Sequence, residues 1–218
     1  MPRPRTPYKL EDGTVVPGVT TITGRFKDSG GLIYWAWTQG RDGKDLRETK
    51  DKAADVGTLV HGMVEERLRG HDPVAWLAGY DRTSEIFDRA CQGYQNWLAW
   101  KEGTALEIEP WEKPMVCEHH KYGGTPDALL RSGDGLVSLG DWKGSKGIYP
   151  ETLLQLAAYA HLFEDMGLKL GGGFHIGRFS PEHGDFSHHH FSELDDAWEM
   201  FKHLRRAYDY DKLLKGRV

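Results

Sequence analysis

Cysteine is scarce: the 218-residue chain has two, Cys91 and Cys117. Two thiols cannot build a disulfide framework, a four-cysteine zinc site or an iron–sulfur cluster. A reduced, cytoplasmic setting is the expectation. Long apolar runs are missing as well. No stretch approaches the roughly 18 continuous apolar residues that a membrane-spanning helix needs, so no membrane partner is expected. The opening residues, MPRPRTPY, are basic but lack the apolar segment of a signal peptide. Internal repeats, low-complexity tracts and Pro/Gly/Ser-rich linkers are absent from the sequence. Positive charge is short too: 28 Lys and Arg stand against 33 Asp and Glu, a net charge of −5. That excludes a protein that coats nucleic acid by bulk positive charge. Neither a Gly-x-Ser-x-Gly elbow nor a P-loop lysine motif occurs, which argues against ATP hydrolysis.

What is present suits one globular domain. Apolar residues make up 39%, and 27 glycines bring the total to about 51%, the usual globular value. Residues 8–23 read as extended, with a turn at Glu11-Asp12-Gly13 and β-branched residues through Ile22. Helical periodicity marks 31–38, then 47–69, where Ala53, Ala54, Leu59, Val60, Met63, Val64 and Leu68 recur before Gly70, then 83–101. From 105 to 143 the texture is strand-like, and Ser132-Gly133-Asp134-Gly135 is a hairpin turn. A helix over 150–166 begins at Pro150 and stops before Gly167. Strands over 172–179 and 185–191 and a charged helix over 193–214 complete the chain. The predicted class is α/β or α+β, a β-sheet flanked by helices. Residues 1–104 form a mostly helical part, 105–191 the core sheet with its crossover helix, and 192–218 the C-terminal helix.

Four short patterns carry chemistry. In Asp141-Trp142-Lys143, strand alternation puts Asp141 and Lys143 on one face and Trp142 on the other. Such a carboxylate can hold a hard cation, and such a lysine can serve a phosphate or a metal-bound water. A lone D-x-K triplet is more often an exposed ion pair. Asp127, in Gly124-Thr125-Pro126-Asp127, opens the strand that pairs with the one ending at Asp141. Both carboxylates then reach the same end of the sheet, where a divalent cation would relieve their repulsion. The plainer alternative is a turn aspartate after proline. His61 and Glu65, in Gly57-Thr58-Leu59-Val60-His61-Gly62-Met63-Val64-Glu65, share a helix face at i and i+4. His61 could be a metal ligand, although alone it reads more simply as a half-buried histidine bonded to its own glutamate. Gln155 and Tyr159 repeat the i, i+4 spacing and could meet a phosphate or a base edge. Taken alone, that pair reads as helix surface beside a buried tyrosine. The Ser187-His188-His189-His190 run is expected to be a solvated or DNA-near segment rather than a metal tract, because strand neighbours point to opposite faces.

Order and spacing together say more than any one pattern. Gly-Thr-x-x-His-x-x-x-Glu, Gly-x-x-Asp, Asp-x-Lys and Gln-x-x-x-Tyr, over residues 57–160, closely resemble the RecB-like exonuclease branch of the PD-(D/E)XK nuclease superfamily. The segment Val16 to Ile22 and the pair Trp35-Ala36 resemble the N-terminal part of phage and mitochondrial genome-maintenance exonucleases in that branch. The resemblance implies a restriction-endonuclease-like core with an N-terminal helical elaboration. It implies that His61, Asp127, Asp141 and the Trp142 backbone carbonyl hold one or two Mg²⁺ or Mn²⁺ ions, with Glu112 facing a second. Asp127, Asp141 and Lys143 would be catalytic, with Lys143 orienting the attacking water. Glu65 would fix the tautomer of His61 from behind, and Gln155 and Tyr159 would contact DNA. The expected activity is that of a magnesium- or manganese-dependent deoxyribonuclease, an exonuclease at single-stranded or free DNA ends in recombination, replication or repair. A recombination or single-strand-binding protein is a candidate partner. An endonuclease on the same fold, a non-catalytic DNA-binding protein and a His-rich metal-binding module are the alternatives. Basic residues near the motifs, Lys143, Lys146, Arg67, Arg69 and the Lys202 to Arg206 stretch, are expected to help grip DNA.

Overall fold

The computed structural model describes residues 7–217 apart from 112 and 181, and without the side chains of 48–50 and 52–54. Ala53 and Ala54 of the helical pattern and the candidate ligand Glu112 therefore lie outside the described residues. The N-terminal part begins with a small hairpin, β1 (Tyr8–Lys9) and β2 (Val15–Val16). Helices α1 (Val19–Arg25), α2 (Gly30–Arg41), α3 (Leu46–Leu68), α4 (Pro73–Trp76) and α5 (Glu85–Gly103) follow. Then come strands β3 (Glu107–Pro110), β4 (Met115–Cys117), β5 (Tyr122–Gly124), β6 (Ala128–Arg131) and β7 (Val137–Gly144). Helix α6 (Pro150–Asp165), strands β8 (Phe174–Phe179) and β9 (Phe186–Phe191) and helix α7 (Asp195–Lys215) close the chain. No helix among the described residues is long and apolar enough to cross a membrane.

The central sheet is mixed, with strand order β3-β6-β7-β8-β9. Among the described residues of this sheet only the β7–β8 pair is parallel, and α6 is the crossover that joins those two strands. Helices cover both faces. Val19, Ile22, Leu139, Leu156, Phe163, Ile176 and Phe201 bring α1, α6 and α7 against one face. Leu59, Val60, Met63, Trp97, Leu130 and Trp142 bring α3 and α5 against the other. The class is therefore α/β, a five-stranded mixed sheet flanked by helices. Central strand β7 is buried from Val137 to Trp142, as a strand covered on both faces must be. Helix α6 is apolar nearly all round, from Leu154 to Phe163, because it lies between the sheet and α7.

Two expectations are corrected. The extended reading of residues 8–23 stops at Gly18, and Val19–Arg25 is helical. Val19, Ile22 and Thr23 are its buried residues. Their i, i+3, i+4 spacing gives one apolar face, and packing on the sheet overrides the β-preference of a β-branched run. The strand-like 105–143 region, assigned to the core sheet, also does not all join it. β4 leaves the main sheet and pairs with β5 in a separate hairpin.

Candidate active site

The hairpin β6–β7 sets the two carboxylates. Ala128 pairs with Gly140, so Asp127 and Asp141 each sit one residue beyond that pair, at the same end of the sheet. Asp141 is almost wholly buried. Lys143 Nζ lies 2.7 Å from Asp141 Oδ2, and the two side chains share the face that alternation assigns them. Trp142 points the other way, into the layer beneath α5, where its ring meets Trp97 and Trp100 edge-on. The Trp142 backbone N–H donates to Asp127 Oδ2 at 2.9 Å. A strand residue directs its N–H and C=O to the same side, so the Trp142 carbonyl also faces the side of Asp127.

Helix α3 brings the histidine. Gly57 lies against Gly144 of β7 so closely that a Cβ on Gly144 would stand 2.8 Å from Gly57 Cα. One turn on, His61 Nε2 is 3.2 Å from Asp127 Oδ2. Gly62 admits the Trp76 ring against the helix, which holds this turn of α3 from outside. Glu65, a further turn along, pairs with Arg69.

The N-terminal hairpin holds the approach to Asp127. The Tyr8 side chain fills the space a Gly123 Cβ would take, and its hydroxyl shares a hydrogen bond with Thr125 Oγ1 at 3.0 Å. Gly123 N–H donates to the Pro17 carbonyl. Tyr8 was not singled out by the sequence, and an isolated tyrosine among turn residues gives no signal. On α6, Gln155 Nε2 donates to Tyr159 Oη at 2.8 Å. The Tyr159 ring is buried against Gly124, so half-buried Gln155 is the more accessible member of the pair.

Electrostatics follow from the burial. Desolvation pushes Asp141 above the ordinary carboxylate range, to about 6, and the neighbouring charge of Asp127 adds to this. Asp127 moves the other way. Burial would raise it, but His61, Lys143 and the Trp142 N–H together hold it well below the usual range. Burial disfavours the Lys143 charge, yet Asp141 and Asp127 outweigh it and keep the ammonium protonated above its ordinary range. The Tyr159 hydroxyl is pushed up, by burial first and then by the two aspartates, and stays neutral. Apart from the Lys143 ammonium, the Asp141 oxygens have no hydrogen-bond partner among the described residues. A buried carboxylate with bare lone pairs, an adjacent carboxylate and an imidazole form a donor set that suits a hard divalent cation.

Several expected grips on DNA are otherwise engaged. Arg205 is buried, donating to the Lys121 carbonyl at 3.0 Å and to Asp209 at 2.6 Å, so it belongs to the packing of α7. Lys202 pairs with Glu199, Lys146 with Glu182, and Arg69 with Glu65 and Glu66. The histidine run is not simply solvated either. His188 is half-buried, bonded to buried His175 at 2.8 Å and lying against Trp100. His190 is the exposed member of the run and bonds the Gly172 carbonyl.

No family model and no curated protein matches the chain. Among solved structures, that of SSO0001 is similar at a TM-score of 0.37, with 18% identity over 72% of this chain and 74% of that one. A likeness at that level carries no argument about fold family or activity.

Proposed function

We propose that the chain is a metal-dependent DNA exonuclease of the PD-(D/E)XK kind, built on a restriction-endonuclease-like core. The observation that carries this reading is the buried Asp141 carboxylate, bare of partners other than Lys143, at the same sheet end as Asp127 and His61. His61, Asp127, Asp141 and the Trp142 carbonyl would hold Mg²⁺ or Mn²⁺. When bound, the ion supplies a nucleophilic water at neutral pH and an electrophilic clamp on the phosphate. The rest falls to the chain's own groups. Lys143 keeps its proton between two carboxylates, so it serves as a hydrogen-bond donor that orients water and offsets phosphate charge rather than as a base. Trp142 N–H and His61 fix the Asp127 carboxylate. Gln155, steadied by Tyr159, would donate its other amide hydrogen to a phosphate oxygen.

Helix α2 supports a single-stranded substrate. It has no buried residue, and Tyr34 and Trp37 are exposed with their ring centroids 5.8 Å apart. Arg41 lies over the Trp37 ring and also pairs with Asp42 at 3.3 Å, an exposed pair that a phosphate could replace. Exposed aromatic rings beside a guanidinium are what unpaired bases stack on without sequence preference. The test is digestion of end-labelled linear DNA and of covalently closed circles with Mg²⁺ or Mn²⁺. Stepwise loss of the linear substrate, stopped by EDTA, is expected. Cutting of closed circles would replace the exonuclease reading with an endonuclease, and activity that survives EDTA would refute the metal-dependent reading.

A further inference from the structure

A second cluster of ligating side chains, on β4 and α6, shares no residue with the Asp127 and Asp141 site. Cys117 at the end of β4 and His161 and Asp165 in the last turns of α6 converge, with one ligand atom of each within 4.8 Å of the others. His161 Nε2 and Asp165 Oδ1 are 3.7 Å apart. Tetrahedral zinc with bonds of 2.0–2.3 Å has ligand-to-ligand edges of about 3.3–3.8 Å, so small side-chain movements close the site.

Three further observations point the ligands inward. His161 Nδ1 faces Glu164 Oε2 at 3.2 Å. A carboxylate on one ring nitrogen fixes the tautomer that leaves the other nitrogen's lone pair for a metal. The His161 ring is stacked on Trp198 of α7 with centroids 4.1 Å apart, which fixes its plane. Cys117 opens a tight turn in which Lys121 adopts positive φ and the His120 N–H points at Cys117 Sγ, 3.3 Å away. That N–H favours the thiolate, while burial and the neighbouring Asp165 push the Cys117 thiol up to about 11, so zinc binding there displaces a proton. The His120 ring, with its centroid 5.4 Å from that of His161, stands beside the cluster and can take a fourth position.

We propose that Cys117, His161 and Asp165 form a zinc site that ties the β4–β5 turn to the end of α6. Thiolate, imidazole and carboxylate together select zinc over Mg²⁺ or Mn²⁺. The test uses the full chain, stripped with chelator and returned to one equivalent of Zn²⁺ or Co²⁺. One bound zinc, a raised melting temperature and a near-ultraviolet thiolate-to-cobalt absorption band are expected. Cys117→Ser should abolish the band, whereas Asp141→Ala, which alters only the other centre, should keep it. Because Cys117 is buried, the exposed ligand Asp165 gives the second arm: Asp165→Asn should fold normally by circular dichroism and bind zinc about tenfold or more weakly. A missing cobalt band, a band that persists in Cys117→Ser, or unchanged zinc affinity in folded Asp165→Asn would overturn the proposal.

Discussion

Replacing Gly144 by alanine is a sharp probe of how the site is held. The added Cβ would stand 2.8 Å from Gly57 Cα, whereas unstrained carbon–carbon contacts lie at about 3.5–4.0 Å. Both partners are backbone, one on a central strand and one inside a helix, so no side chain can swing aside. Strand β7 and helix α3 must part by about 0.7 Å or more. Overpacking of this kind costs about 1–3 kcal/mol. For a chain of this length that lowers the melting temperature by about 2–12 °C. The shift also carries His61, one turn beyond Gly57, away from its 3.2 Å contact with Asp127. A displacement near 1 Å can cost about 100-fold in rate, so the proposed DNA cleavage should fall further than stability. Gly57→Ala is the control. Its Cβ would meet Gly144 Cα at 3.5 Å, an ordinary contact, and alanine inside a helix gains up to about 1 kcal/mol over glycine. Thermal unfolding followed by circular dichroism should rank Gly57→Ala at or above the parent and Gly144→Ala clearly below it. A Gly144→Ala protein melting within about 1 °C of the parent, or equal losses in both variants, would refute the reasoning.

Three other outcomes follow from the same geometry. Burial first, then His188 and His190, lower the His175 imidazole to about 4. The unfolded chain therefore takes up a proton there before the folded one does, and stability should drop as pH falls from about 6.5 to 4, by at most about 3 kcal/mol. Urea unfolding at pH 7 and pH 4.5 should show that drop, reduced in His175→Phe; an undiminished drop in the variant would assign it elsewhere. Lys143→Met leaves the buried Asp141 carboxylate without its cation, which should cost about 1–3 kcal/mol in chelator. Mn²⁺ should restore more of the melting temperature in that variant than it adds to the parent, and equal shifts in both would count against metal at Asp141. Tyr159→Phe removes the acceptor that steadies Gln155 and should change stability by only about 1 kcal/mol. For the proposed nuclease activity, kcat/KM on DNA should fall mainly through KM, and a fall carried by kcat alone would place Tyr159 in the chemistry.

Much of this architecture is written in the chain. Apolar spacing marked α3 and α5, Pro150 and Gly167 bounded α6, and the Asp134-Gly135 turn fixed the β6–β7 register that sets Asp127 beside Asp141. Alternation along β7 separated Asp141 and Lys143 from Trp142. What escaped the sequence depends on contacts between distant segments. Val19–Arg25 is β-branched and becomes a helix because Val19, Ile22 and Thr23 face the core. β5 contains Gly123 and Gly124, poor strand formers that are needed here because the Tyr8 and Tyr159 rings occupy the space of their side chains. Cys117 and His161 are too far apart in sequence for any spacing rule, and the β4–β5 hairpin brings them together. The basic stretch of α7 looked like a DNA grip, yet Arg205 turns inward to a backbone carbonyl.

The account rests on Asp141, and a side-by-side digestion tests it most directly. Parent and Asp141→Ala proteins, matched for folding by circular dichroism, are incubated with end-labelled single-stranded DNA and Mg²⁺ or Mn²⁺. The account predicts progressive shortening by the parent and loss of about 100-fold or more by the variant. Equal rates of cleavage, or no cleavage by the parent with either metal, would contradict it.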